Sequence, residues 1–139
     1  MCDMAVIKHP WRNCLYEEAS VVIAQSLAKE SVTKKQIKKY KKENYPANYG
    51  LMAGCFIIRH NTNNIKIACK IWSEEYRTGC RRDQISLSYA FWKSERIGHK
   101  NNCKLLNWTA TYSREYFLRV PHLPVHHKTR KLKAIDAVV

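Results

Sequence analysis

The side chains best equipped for chemistry are adjacent in CRRDQ, Cys80 to Gln84: two arginines, a carboxylate and an amide. Asp3 and Asp136 lie near the termini, so Asp83 is the single internal aspartate. Arg81 and Arg82 would hold it ionised, while Gln84 adds a donor and an acceptor. A carboxylate beside an amide suits recognition of hydroxyl groups, as on a sugar. The plain alternative is a helix cap paired with arginine, and residue types alone leave both open.

Two further clusters carry polar groups with a purpose to explain. In HPWRNCLYEE, His9 and Arg12 precede a helix whose N-terminus attracts anions such as a diphosphate or carboxylate. The alternative is ordinary loop packing by His9 and Trp11. In GCFIIRHN, Arg59, His60 and Asn61 end an apolar run that reads as a buried strand, and the carboxyl end of a strand is where α/β sheets bind ligands. Several familiar signatures are missing: Gly-x-Gly-x-x-Gly, the Walker lysine loop, Gly-x-Ser-x-Gly and any Asp-x-Asp pair. Cys80 lies near arginines, but no spacing supports a Cys–His nucleophile. The six cysteines form no Cys-x-x-Cys pair, so reduced, mostly buried thiols are expected rather than a metal centre.

These clusters need elements to position them. Leu15, Ala19, Val22, Ile23 and Leu27 recur at helical spacing over residues 14–29, with Asn13 as N-cap and Glu17 and Glu18 in the first turns. A lysine-rich helix is expected after Ser31 or Thr33, with Ile37 and Tyr40 as its apolar stripe and an end near Asn44 ahead of Pro46. Ile65, Ala68, Cys69, Trp72 and Tyr76 give a helix over 63–78 that stops at Gly79. Asp83 caps or begins the next helix, which ends near Ser94. Its residues Ile85, Tyr89 and Trp92 share one face and Leu87 and Phe91 another, so burial on much of its surface is expected. CKLLNW, Cys103 to Trp108, reads as a short strand, and the segment beyond, with Pro121 and Pro124, as a basic surface-running extension.

The chain has 139 residues, four Trp, eight Tyr and a net charge of +14, enough apolar and aromatic content for a core. The charge favours an anionic partner, but it is regional: Lys34 to Lys42 and the block HHKTRKLK hold much of it. The lysine helix reads as a solvated face or, less simply, as a phosphate- or lipid-contacting one. No apolar run is long enough to span a membrane and the start lacks a signal-peptide core, so a cytoplasmic location is expected.

Three segments, HPWRNCLYEEA, KKYKKENYPANYGLMAGCFIIRHN and IWSEEYRTGCRRDQISLSYAFWK, resemble the glycosyltransferase-like domain catalogued as domain-of-unknown-function family 616. The match covers about residues 8 to 94, and Arg-Asp-Gln followed by Ile-Ser-Leu-Ser-Tyr is its most specific part. That family is similar in turn to nucleotide-sugar transferases of the GT-A type. The resemblance implies an α/β fold, a partial GT-A-like arrangement with helices packed on a small mixed sheet. It implies that Asp83 and Gln84 orient donor or acceptor hydroxyls and that Gly54 allows close approach of the sugar. Arg82, with His9 and Arg12, would meet the charge of the diphosphate leaving group. Arg59 and His60 are the remaining candidate substrate contacts, read from the strand end.

In the family, a nucleotide-binding half with an Asp-x-Asp-like motif for Mn2+ or Mg2+ precedes these segments. The expectation is therefore an acceptor-side half over residues 1–108 and a basic extension over 109–139. Its partners would be a nucleotide sugar, a hydroxyl acceptor and a separate nucleotide-binding half, and its sheet would lack the strands that cover its edges. A basic nucleic-acid-binding module and a non-catalytic remnant are the alternatives.

Overall fold

The computed structural model describes residues 2–107. Their order is β1 (Met4–Lys8), α1 (Leu15–Ala24), α2 (Glu30–Lys42), β2 (Met52–Arg59), α3 (Asn63–Thr78), α4 (Asp83–Arg96) and β3 (Cys103–Leu106). The fold is α/β, as expected, with four helices on a three-stranded mixed sheet. Strand order is β2-β1-β3, with β1 antiparallel to β2 and parallel to β3. The central strand is thus one the sequence does not announce: MAVIK is only five residues long. Met4 and Val6 alternate onto one face and are almost wholly buried.

Helix α4 lies between two cores, which is why it is buried on nearly every side from Ile85 to Trp92. Ile85, Tyr89 and Trp92 join Leu15, Val22, Tyr40 and Leu51 in the core beneath α1 and α2. Leu87 and Phe91 join Met4, Val6, Ile65 and Ala68 in the core between sheet and α3. The two-faced burial expected of this helix is what the structure has. Each such side chain contributes roughly 1.5–3 kcal/mol by leaving water.

A buried polar network ties α2 to α3. The Gln36 amide donates to the Tyr40 hydroxyl (2.7 Å) and the Glu75 carbonyl (3.0 Å), and accepts from the Cys80 N–H (2.9 Å). Tyr40 stacks on Tyr89 with ring centroids 3.7 Å apart and donates to Glu75, which also pairs with Lys39. Gly79 ends α3 without a left-handed φ. It is glycine because a Cβ there would overlap the Gln36 amide.

Other elements depart from expectation. Helix α1 stops at Ala24, because Ser26 takes a positive φ of 53°, and Leu27 is left exposed rather than on the buried face. Its N-cap is Cys14; the Asn13 amide instead donates to the Asn48 carbonyl. Helix α2 starts at Glu30, earlier than expected, and Asn44 closes it with a φ of 61°. Among the described residues strand β2 lies at the sheet's edge rather than buried within it, and Cys55, Ile58 and Arg59 are exposed. None of the six cysteines forms a disulfide, but only Cys14 and Cys80 are buried. The expected strand after Cys103 is β3, paired in parallel with β1. The proposed extension lies outside the described residues. Among those residues no helix is long and apolar enough to cross a membrane.

Candidate functional site

The site is built where α4 meets the start of β2. The ladder between β1 and β2 jumps from Ile57 opposite Val6 to Ala53 opposite Ile7, so Gly54, Cys55 and Phe56 bulge between rungs. Bulges of this kind re-aim side chains and frequently adjoin active sites. Into this bulge points Asp83, the first residue of α4, whose Oδ2 accepts the Gly54 N–H at 3.0 Å. A Cβ on Gly54 would overlap that oxygen. The close approach that the glycine permits is therefore made, in this chain, by the Asp83 side chain. One turn on, Ser88 Oγ accepts the Met52 N–H at 3.0 Å. Two α4 side chains thus occupy N–H groups at the start of β2, where a bare edge was expected.

Asp83 is not held by arginine: neither Arg81 nor Arg82 forms an ion pair with it among the described residues. Arg81 is exposed with a φ of 56°. The neighbours of Asp83 carry the stronger signal. Arg82 Nε and Gln84 Oε1, from the residues just before and just after Asp83 in the chain, are buried atoms with no hydrogen-bond partner, one a donor and one an acceptor. Buried polar atoms are ordinarily satisfied, and leaving one unpaired costs roughly 1–3 kcal/mol. Here a donor and an acceptor of that kind belong to the chain neighbours of a backbone-held carboxylate.

His9 follows β1 directly, and its N–H donates to the Leu51 carbonyl at 2.8 Å, just ahead of β2. Its Nδ1 accepts the Arg12 N–H at 3.1 Å. Its Nε2 lies 3.7 Å from Glu18 Oε2, the oxygen that Arg12 Nε also engages. Burial lowers the His9 pKa, against the raising charge of Glu18 and with Arg12 adding to the lowering. With His9 neutral, the three side chains sum to zero charge. The expected His9–Arg12 pair is thus brought together around a buried carboxylate. Glu18 is absent from the expected site residues, yet the signal is in the sequence: it occupies the i+3 position of the stripe Leu15, Ala19, Val22. A carboxylate on a buried stripe requires a cation.

Arg59 and His60 are not brought to Asp83. They lie at the other end of β2, roughly 15 Å along the strand from Gly54. There they line a cleft of about 380 Å³ with Asn61, Lys66 and Cys69, and Arg59 Nη1 donates to Cys69 Sγ at 3.1 Å. No group of three or more His, Cys, Asp or Glu side chains is placed to hold a metal ion among the described residues. The one aspartate of the site already has an oxygen held by a backbone N–H. Among the described residues these groups therefore do not make a site for Mn2+ or Mg2+.

No curated protein and no solved structure matches the chain. The family of the TOD1/MUCI70 glycosyltransferase-like domain matches over residues 1–122, and it is the same family as domain-of-unknown-function family 616. The match takes in the bulge, the Asp83 helix start and the His9 cluster, and the chain belongs to the TOD1/MUCI70 glycosyltransferase-like family.

Proposed function

We propose that this chain handles the transferring sugar in a GT-A-type reaction, from a nucleotide diphosphate sugar to a hydroxyl acceptor. The bond from the anomeric carbon to the diphosphate oxygen breaks, a bond to the acceptor oxygen forms, and the proton of the acceptor hydroxyl leaves to the departing diphosphate or to water. Asp83 and Gln84 orient sugar or acceptor hydroxyls, the carboxylate accepting and the amide doing either. Arg82 donates to the departing diphosphate and steadies its charge. Arg12 already holds Glu18, so Arg82 is the better placed arginine for that task. A separate nucleotide-binding half would supply the contacts to the base.

The observation that carries this reading is the backbone-held Asp83 carboxylate flanked by the unsatisfied Arg82 Nε and Gln84 Oε1. The test is sugar transfer or donor hydrolysis over a panel of nucleotide sugars, with and without added manganese or magnesium. Asp83→Asn is expected to lower turnover by about 100-fold or more, the scale on which mispositioned reactants lose rate. Asparagine still accepts the Gly54 N–H, so the stability cost should stay at about 1 kcal/mol. Equal activity in the mutant would remove Asp83 from the reaction.

A further inference from the structure

The lysine helix is left unused by the sugar site, and its surroundings point to a protein partner. Between α1 and α2 runs a groove of about 450 Å³, whose floor includes Ala19, Ile23 and Ile37 and whose rim carries Lys34, Lys38 and Lys41. Lys34 pairs with Glu30, an exposed i,i+4 contact worth little. Lys41 places its ammonium 5.4 Å from the Tyr16 ring centroid. No carboxylate pairs with Lys38 or Lys41 among the described residues. An apolar floor beneath a one-sign rim asks for an occupant with an apolar face and the opposite charge on its flanks.

We propose that the α1–α2 groove docks an acidic amphipathic helix from a partner protein. Apolar residues at i, i+3, i+4 and i+7 would cover Ile23 and Ile37 while flanking carboxylates meet Lys38 and Lys41. Helix α2 has 13 residues, about 20 Å of length, which sets the docked segment at about three to four turns. The concave shape favours a helix over a bilayer, since a flat surface would reach the lysines but not the recessed floor. Single-stranded nucleic acid is disfavoured because the one ring in the groove, Tyr16, is already covered by Lys41.

The test uses the full chain, with its backbone amide resonances followed during titration. One probe is a helical 14-residue peptide with leucine on one face and glutamate on its flanks. The second carries lysine in place of each glutamate, and the third is vesicles of mixed phosphatidylcholine and phosphatidylserine. The acidic peptide should shift Ser20, Ile23 and Lys38 and bind at least tenfold tighter than the basic one. K38E with K41E should abolish that preference and leave the thermal melt unchanged, and Ile37→Asp should weaken binding without reversing charge preference. Equal binding of both peptides, no shift with either, or shifts of these residues by vesicles alone would each overturn the proposal. None of these outcomes bears on Asp83.

Discussion

At the scale of single residues, the site turns on a glycine and an aspartate that each satisfy the other. Asp83 needs the Gly54 N–H, and Gly54 must lack a side chain to let the carboxylate in. Gly54→Ala should therefore displace the carboxylate and cost about 1.5–3 kcal/mol in a urea melt, the range for losing a hydrogen bond to a charged group. In an Asp83→Ala background the same substitution should cost much less, and a double-mutant cycle would measure that coupling. Both residues are legible in the sequence, Asp83 as the lone internal aspartate and Gly54 as the start of an apolar run. Their contact is not, because it depends on a bulge that no local pattern encodes.

His9 permits a prediction with a definite sign. Burial lowers its pKa below the usual value near 6.5, so the folded chain binds fewer protons there than the unfolded chain. The stability it contributes is complete above that usual value and is lost as pH falls through the folded pKa. Protonation at Nδ1 would also remove the acceptor for the Arg12 N–H. Denaturant midpoints should fall between pH 7.5 and pH 5. His9→Asn, which keeps an acceptor but cannot titrate, should flatten that part of the decline.

At the scale of elements, α4 does the joining. It divides the two cores with one run of buried residues and covers the start of β2 with Asp83 and Ser88. Leu87 is fully buried against the sheet and α3, so Leu87→Ala should cost about 2–5 kcal/mol in chemical denaturation. The sequence shows this helix clearly, since Ile85, Tyr89, Trp92 and Leu87, Phe91 fall into two stripes. It shows α3 to the residue, because Ile65, Ala68, Cys69, Trp72 and Tyr76 keep helical spacing and Gly79 stops the end. It hides where α1 ends: Leu27 continues the helical spacing, but the left-handed turn at Ser26 is local geometry that a polar residue type does not reveal. It also hides β1, whose five residues are too few for alternation to stand out.

At the scale of the whole molecule, that hidden strand is the centre of the sheet. Met4 pairs with Arg59 on one side and with Cys103 on the other. Deleting residues 2–8 should leave β2 and β3 with nothing to join them and open the core of Met4 and Val6. The truncated chain should lose its cooperative thermal melt, and a sharp transition near that of the full chain would show the sheet to be dispensable. The parallel pairing of β1 with β3 also sets a clock on biogenesis. A ribosome working at roughly 5–20 residues per second needs about 5–20 s to travel from the first strand to the last. Throughout that interval β1 has only β2 to pair with, and only once β2 has been made. Its far edge waits open for a partner about a hundred residues away, the kind of non-local closure that slows folding and exposes a nascent chain to mispairing.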